Sequence, residues 1–150
     1  ILKIMIMKKF IIFIALASMF VATSCQKNNT ETLPSFEYTM WEGTIIRDID
    51  GTKETRNIRL EFEHFLTEEN DTGGSNLRVT TNYNGESLTI GARYFQEKNG
   101  IRINNFSWWS DEAIMENGLY WITEFDKNSI KMEYVNGSKT ITLDLRKGSI

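Results

Sequence analysis

The sequence predicts an all-β domain, an eight-stranded antiparallel up-and-down barrel preceded by a helical signal peptide, and three observations carry that prediction. Five Asx-Gly pairs punctuate the chain: Asp50-Gly51, Asn84-Gly85, Asn99-Gly100, Asn117-Gly118 and Asn136-Gly137. Such pairs favour the type I′ hairpin turn, because both of its central residues need φ > 0. Gly73-Gly74 and Asp126-Lys127-Asn128 add two further turns, so seven turns delimit eight segments. Within the segments apolar and polar residues alternate with period two, the pattern of strands with one buried face. An even number of antiparallel strands joined by tight hairpins can pair its first with its last and cover both edges. A two-sheet sandwich, the competing all-β arrangement, would need longer crossovers than most of these turns provide.

The first element is a leader. Residues 1–24 read as a signal peptide: Lys8 and Lys9 are the basic start, residues 10–21 the apolar run, and Ala22, Thr23 and Ser24 the small residues before a cut. Residues 1–6 read as upstream translation, since Met7 already makes a normal beginning. The apolar run is shorter than the roughly 20 residues that span a bilayer. Cys25, the sole cysteine, follows directly, and the stretch Val21-Ala22-Thr23-Ser24-Cys25 resembles a bacterial lipobox. That resemblance implies a diacylglyceryl group on the Cys25 thiol, cleavage before it and acylation of the new amine. Two or more acyl chains anchor stably where one is marginal. Residues 25–35 are then the lipidated cysteine and a flexible tether, polar, without apolar periodicity and carrying the only proline, Pro34. Among lipoproteins of this kind, acidic residues directly after the cysteine direct export to the surface. Here Gln26, Lys27, Asn28 and Asn29 stand there, so the expected address is the outer membrane facing the periplasm, with surface display as the alternative.

Residues 36–150 hold the barrel. In the second segment Ile58, Leu60, Phe62 and His64 alternate with Arg59, Glu61 and Glu63. The third alternates Leu77, Val79, Thr81 and Tyr83 with polar residues, and the fourth Leu88, Ile90, Ala92 and Tyr94. The fifth continues with Ile101, Ile103 and Asn105, the seventh with Ile130, Met132 and Tyr134, and the eighth with Ile141, Leu143 and Leu145. The first segment, residues 36–49, and the sixth, residues 119–125, carry apolar residues on both faces. The expected interior residues there are Trp41, Ile45, Leu119, Trp121 and Phe125. The longer connection, residues 109–117, has Ser110 as an N-cap ahead of Asp111 and Glu112, and reads as one helical turn forming a lid.

Composition excludes several function classes. The chain has 17 basic and 20 acidic residues, and loss of Lys3, Lys8 and Lys9 with the leader leaves 14 against 20, a net charge of −6. Nucleic acid is therefore not an expected partner, since phosphate binding needs clustered Lys and Arg. With Cys25 acylated, disulfides, thiolate zinc sites and thiol nucleophiles are all excluded. His64, the sole histidine, cannot complete an ordinary zinc site and reads as structural. Asp48, Asp50 and Gly51, and Glu68 through Asp71, lack the ligand register of a calcium loop and read as solvated turns. No nucleophile elbow, phosphate loop or dinucleotide fingerprint occurs. The expectation is a non-enzyme without cofactor or metal.

A tryptophan beside a glycine at the start of the first strand, hairpin-linked strands and an arginine closing the last strand resemble the lipocalin-like (calycin) barrels common among bacterial lipoproteins. The matching residues are Trp41, Gly43 and Arg146, here with the tryptophan ahead of the glycine. The resemblance spans residues 36–147 and implies that Trp41 and Arg146 pack together and plug one end of the barrel. Antiparallel ordering places Tyr83, Asn105, Ser107, Trp108, Trp109, Leu119 and Tyr134 at the other end, beneath the connections at residues 50–55 and 109–118. Tyr83, Asn105, Ser107 and Tyr134 would give an apolar lumen a polar rim. Trp108 and Trp109, being adjacent in a strand, point to opposite faces, so at most one enters the barrel while the other is exposed, as a candidate contact for glycan, lipid or partner, or lies under the lid.

Two functions remain open. An eight-stranded barrel encloses either packed side chains or one small ligand. An open lumen would bind a small apolar or amphipathic molecule in the cell envelope; a solid one would make the chain an interaction module for an envelope protein or glycan. Cys25 divides the chain in either case. A Cys25→Ser variant is expected to lose acylation and membrane association, by fractionation and intact mass, while its circular dichroism stays that of the wild-type barrel.

Overall fold

Alternation and turn chemistry build a closed sheet. The computed structural model describes residues 33–66, 73–104 and 114–149. Its strands are β1 (Thr39–Ile49), β2 (Thr52–Phe62), β3 (Leu77–Tyr83), β4 (Glu86–Glu97), β5 (Gly100–Asn104), β6 (Gly118–Phe125), β7 (Ser129–Asn136) and β8 (Lys139–Lys147). All neighbours are antiparallel and follow chain order, and β1 pairs with β8 to close an eight-stranded up-and-down barrel. Cys25 and the tether as far as residue 32 lie outside the described residues.

The Asx-Gly signals do not all act alike. Asp50-Gly51 and Asn84-Gly85 have both residues at positive φ, as a type I′ turn requires. The β1–β2 connection is thus two residues long, and residues 52–55, expected in a loop over the mouth, are already strand. At the β7–β8 turn Asn136 is the last strand residue, and Gly137 takes the positive φ alone. Gly100 is paired with Glu97, leaving Lys98-Asn99 as the turn. The strength of the turn signal lay in its position more than in its type.

Alternation places the core. Ile45, Leu60, Leu77, Val79, Ile101, Ile103, Met132, Ile141, Leu143 and Leu145 face inward and have no exposed surface. A void wide enough for water would leave surface on the side chains that border it, so these residues pack solidly against one another.

One end is stoppered by aromatics. Phe36, in the turn before β1, is fully buried with its ring 5.8 Å from that of Trp41 and 5.3 Å from that of Phe62. Phe62 meets Tyr94 edge-on at 4.8 Å, and Phe65 lies 5.8 Å from the same tyrosine. Trp41 donates its indole N–H to Thr39 Oγ1 at 3.0 Å.

Two expectations are corrected here. In β6 the buried residue is Tyr120, with Ile122 packed on the core, while Trp121 is 51% exposed and Leu119 only partly buried. A β-bulge is the reason. The β6–β7 register pairs Ile122 with Met132 and Glu124 with Lys131, so Thr123 is an extra residue that reverses the phase and returns Phe125 to the core side. Arg146 does not pack on Trp41: it alternates with the inward Leu145, sits opposite Glu42 in the β1–β8 ladder, and is exposed on the outer wall. The end of the barrel is closed by Phe36 on Trp41.

Where the segment after β2 leaves the ladder, a buried polar side chain replaces it. Asn76 has no exposed surface; its amide donates to the carbonyls of His64 (3.1 Å) and Tyr94 (3.2 Å) and accepts the Tyr94 N–H at 2.8 Å. The Tyr94 hydroxyl donates to the Glu63 carbonyl at 2.7 Å, and burial, with the nearby Glu37 charge, pushes that phenol well above its ordinary range. Asn76→Ala would leave three backbone groups unpaired in the core, and a loss of roughly 3 kcal/mol is expected by urea denaturation, with the m-value unchanged.

Candidate functional site

The mouth is the end at which β1, β3, β5 and β7 finish. Period-two alternation, continued from Ile45 to Arg47 and from Ile58 back to Arg56 and Glu54, turns three charged side chains inward there. Register sets Arg47 opposite Glu54 and Ile45 opposite Arg56. Arg47 Nη2 donates to Glu54 Oε2 at 2.9 Å, and Arg56 Nε to Glu54 Oε1 at 2.8 Å. Partial burial works to raise the Glu54 pKa, but the hydrogen bonds and charges of Arg56 and Arg47 outweigh it and hold the carboxyl below its ordinary 4.5. This triad escaped the sequence reading, which stopped the second strand's inward set at Ile58; carrying the same alternation four residues further would have found it.

Tyr83 ends β3 on the inward face, 39% exposed, with the Arg56 guanidinium 5.3 Å above its ring centroid. Tyr134 of β7 is 9% exposed and stacks on Tyr120 at 5.3 Å and 26°. Its ring occupies the space beside Gly118, where a Cβ would come within 2.4 Å of it, at a backbone φ of 152°. The two tyrosines that sequence analysis put at the mouth are therefore both there, each with its own partner. Asn105, Ser107, Trp108 and Trp109, together with Ser110 and the first part of the expected lid, lie outside the described residues.

The end of that connection is a stopper of the chain's own making. Ile114 and Met115 are fully buried, Ile114 at φ 50°. The Tyr120 hydroxyl holds them in place, accepting the Glu116 N–H at 2.8 Å and donating to the Glu116 carbonyl at 3.1 Å, while Glu116 also pairs with Lys139 at the start of β8. Burial pushes the Tyr120 phenol far above its ordinary range.

Two further depressions lie outside the wall, on the outer faces of β1, β2 and β3. One, of about 480 Å³, is bordered by Tyr38, Met40, Arg59, Glu61, Arg78 and Ser149 among others. The second, of about 370 Å³, is bordered by Glu42, Asn57, Arg59, Thr80, Asn82 and Ser87 among others. Among the described residues no group of three or more His, Cys, Asp or Glu is placed to hold a metal ion.

No family model matches the chain, and neither a curated protein nor a solved structure matches it. The closed eight-stranded antiparallel sheet is compatible with a lipocalin-like fold. That compatibility rests on strand number and order, since Arg146 does not meet Trp41.

The Glu54 pairing gives a pH signature. A carboxyl whose folded pKa is depressed adds stability above its unfolded pKa and loses it as pH falls through the folded value. Wild type is expected to exceed Glu54→Gln in thermal stability between pH 5 and 7, with the gap closing below about pH 4. An equal gap at pH 7 and pH 3 would show that the triad's charge contributes nothing. The carboxylate is partly exposed, so solvent screening keeps the effect modest.

Proposed function

We propose that this chain is an acylated envelope protein whose barrel is a solid scaffold, engaging an envelope protein or glycan through its outer wall and loops. The observation that carries the reading is the filled interior. Phe36 and Trp41 at one end, Leu60, Leu143 and Ile101 along the barrel, and Ile114 and Met115 at the other are each at most 2% exposed, while Ile58, Thr81, Ile90 and Tyr134 keep between 3% and 9%. A lumen ligand would need several hundred cubic ångströms lined by apolar groups, and these buried side chains leave little surface to line such a space. The outer wall, by contrast, carries both depressions and the exposed Tyr38, Trp121 and Val135.

Anchoring comes from the leader and Cys25. Lipidation there, with the tether of residues 25–35, would hold the scaffold at the outer membrane facing the periplasm; surface display is the alternative. A rigid barrel on a flexible tether can search for partners near a bilayer without inserting into it.

One observation favours a second reading, a small amphipathic ligand at the mouth. Tyr83 is exposed beside Arg56, and Tyr134 keeps a little open surface, so a shallow polar rim exists above the packed core.

The two readings separate by experiment. Native mass spectrometry of the full acylated chain should show the protein without a stoichiometric small molecule, and cross-linking in cells should capture a partner that is lost in the Trp108→Ala, Trp109→Ala double variant. A co-purifying lipid retained by wild type and lost in Tyr134→Ala would overturn the solid-scaffold reading.

A further inference from the structure

Resting on the reading of the barrel as an interaction scaffold, we propose that the outer groove across β1, β2 and β3 is a binding site for a neutral oligosaccharide, with Tyr38 as its stacking platform. The two outer depressions adjoin at Arg59, one reaching towards Tyr38 and the other towards Asn82, and together make up the candidate ligand track. Each has the size of a small-ligand site.

The charges along the track nearly cancel, Arg59 and Arg78 against Glu42, Glu61 and Glu63 leaving a net −1. Arg59 pairs with Glu42 at 2.7 Å and Glu61 at 3.8 Å; Arg78 pairs with Glu61 at 3.1 Å and Glu63 at 3.4 Å. Exposed ion pairs of this kind add little to stability, so the fold does not account for the ladder. What the pairing does is hold planar guanidinium and carboxylate groups in fixed postures. The guanidinium has five N–H donors and the carboxylate about four acceptor positions, so each retains hydrogen-bonding capacity toward a ligand. Donors and acceptors side by side match the vicinal hydroxyls of a sugar, and the excess carboxylate repels a phosphate. Beyond Arg59 the track continues in uncharged polar groups: Thr80 lies opposite Arg59, and Asn82 opposite Ser87.

Tyr38 supplies the apolar part. Its side chain is 66% exposed and its φ is 54°, a left-handed conformation that a bulky residue adopts only when the surroundings impose it. The surroundings do so on both sides. The Glu37 carboxylate accepts the Phe65 N–H at 2.9 Å, and the Thr39 N–H bonds the Phe36 carbonyl at 3.1 Å. The buried Phe36 anchors this turn, and the ring that follows is held out at the groove's rim. A rigid aromatic beside fixed polar groups presents an apolar face and hydrogen bonds together, as a sugar ring requires.

The test is isothermal titration of the detergent-solubilised full chain with maltohexaose, cellohexaose, the hexamer of N-acetylglucosamine and, as an anionic control, dextran sulfate. Saturable binding is expected for at least one neutral hexasaccharide, weakened at least tenfold by Tyr38→Ala and by Asn82→Ala, with both variants melting at the wild-type temperature. Binding of dextran sulfate alone would overturn the neutral-ligand assignment. Absence of binding to every saccharide, with the cross-linked partner still captured, would overturn this proposal and leave the scaffold reading standing. Binding that survives Tyr38→Ala and Asn82→Ala but is lost in Tyr134→Ala would overturn both.

Discussion

Closure of the sheet is the constraint from which the rest follows. Between Trp41 and Ile49, β1 is hydrogen-bonded to β2 on one side and β8 on the other, so its backbone must satisfy two ladders at once. Gly43 is where the fit is tightest. It lies between Ile58 and Leu145, and a Cβ built there would stand 2.0 Å from the Asp144 carbonyl oxygen. A side chain at that point would push β8 away and open the seam. With the seam shut, the register of every strand is set, and register decides which residues face inward. An eight-stranded barrel is just wide enough for side chains to fill, and this one fills it with large aliphatic and aromatic groups.

The ends of the barrel obey a different rule. There the ladder stops, and backbone groups near the core need partners that strands no longer provide. Asn76 and Tyr94 provide them after β2, and Tyr120 does so ahead of β6. These few buried polar side chains are fully engaged, which is why the core tolerates them. Hydrogen bonds also hold the irregular stoppers: the Phe36 N–H donates to Gln96 Oε1 and its carbonyl accepts from Thr39, while Tyr120 grips Glu116 beside Ile114–Met115.

Much of this was legible in order of appearance. Alternation in the segments of Ile58–Leu60–Phe62, Leu77–Val79 and Ile141–Leu143–Leu145 assigned the inward face, and turn residues marked where each strand reverses. The failures have specific causes. Leu119, Trp121 and Phe125 share one period-two phase in a segment with apolar residues on both faces, and the bulge at Thr123, which lets Tyr120 and Phe125 both face the core, leaves no sequence signal of its own. Arg47, Glu54 and Arg56 lie where the alternation runs on past Ile45 and Ile58, and charged side chains can face inward there because each has a partner. Arg146 was assigned by resemblance to a family pattern when its own alternation with Leu145 already placed it outside.

By itself, then, the sequence determined the class, the strand count and the inward set of the well-alternating strands, because these depend on local spacing and on turn residues whose backbone preferences are intrinsic. It also carried the reading of Cys25 as an anchor, which rests on a contiguous motif. Only the tertiary structure decided how the inward side chains pack, that Phe36 and Met115 close the ends, and that Tyr38, Arg59 and Asn82 border adjoining depressions on the outer wall. Filling is a matter of summed volumes meeting across the barrel, and a track on the wall is a matter of register between strands. Neither quantity exists until the sheet has closed.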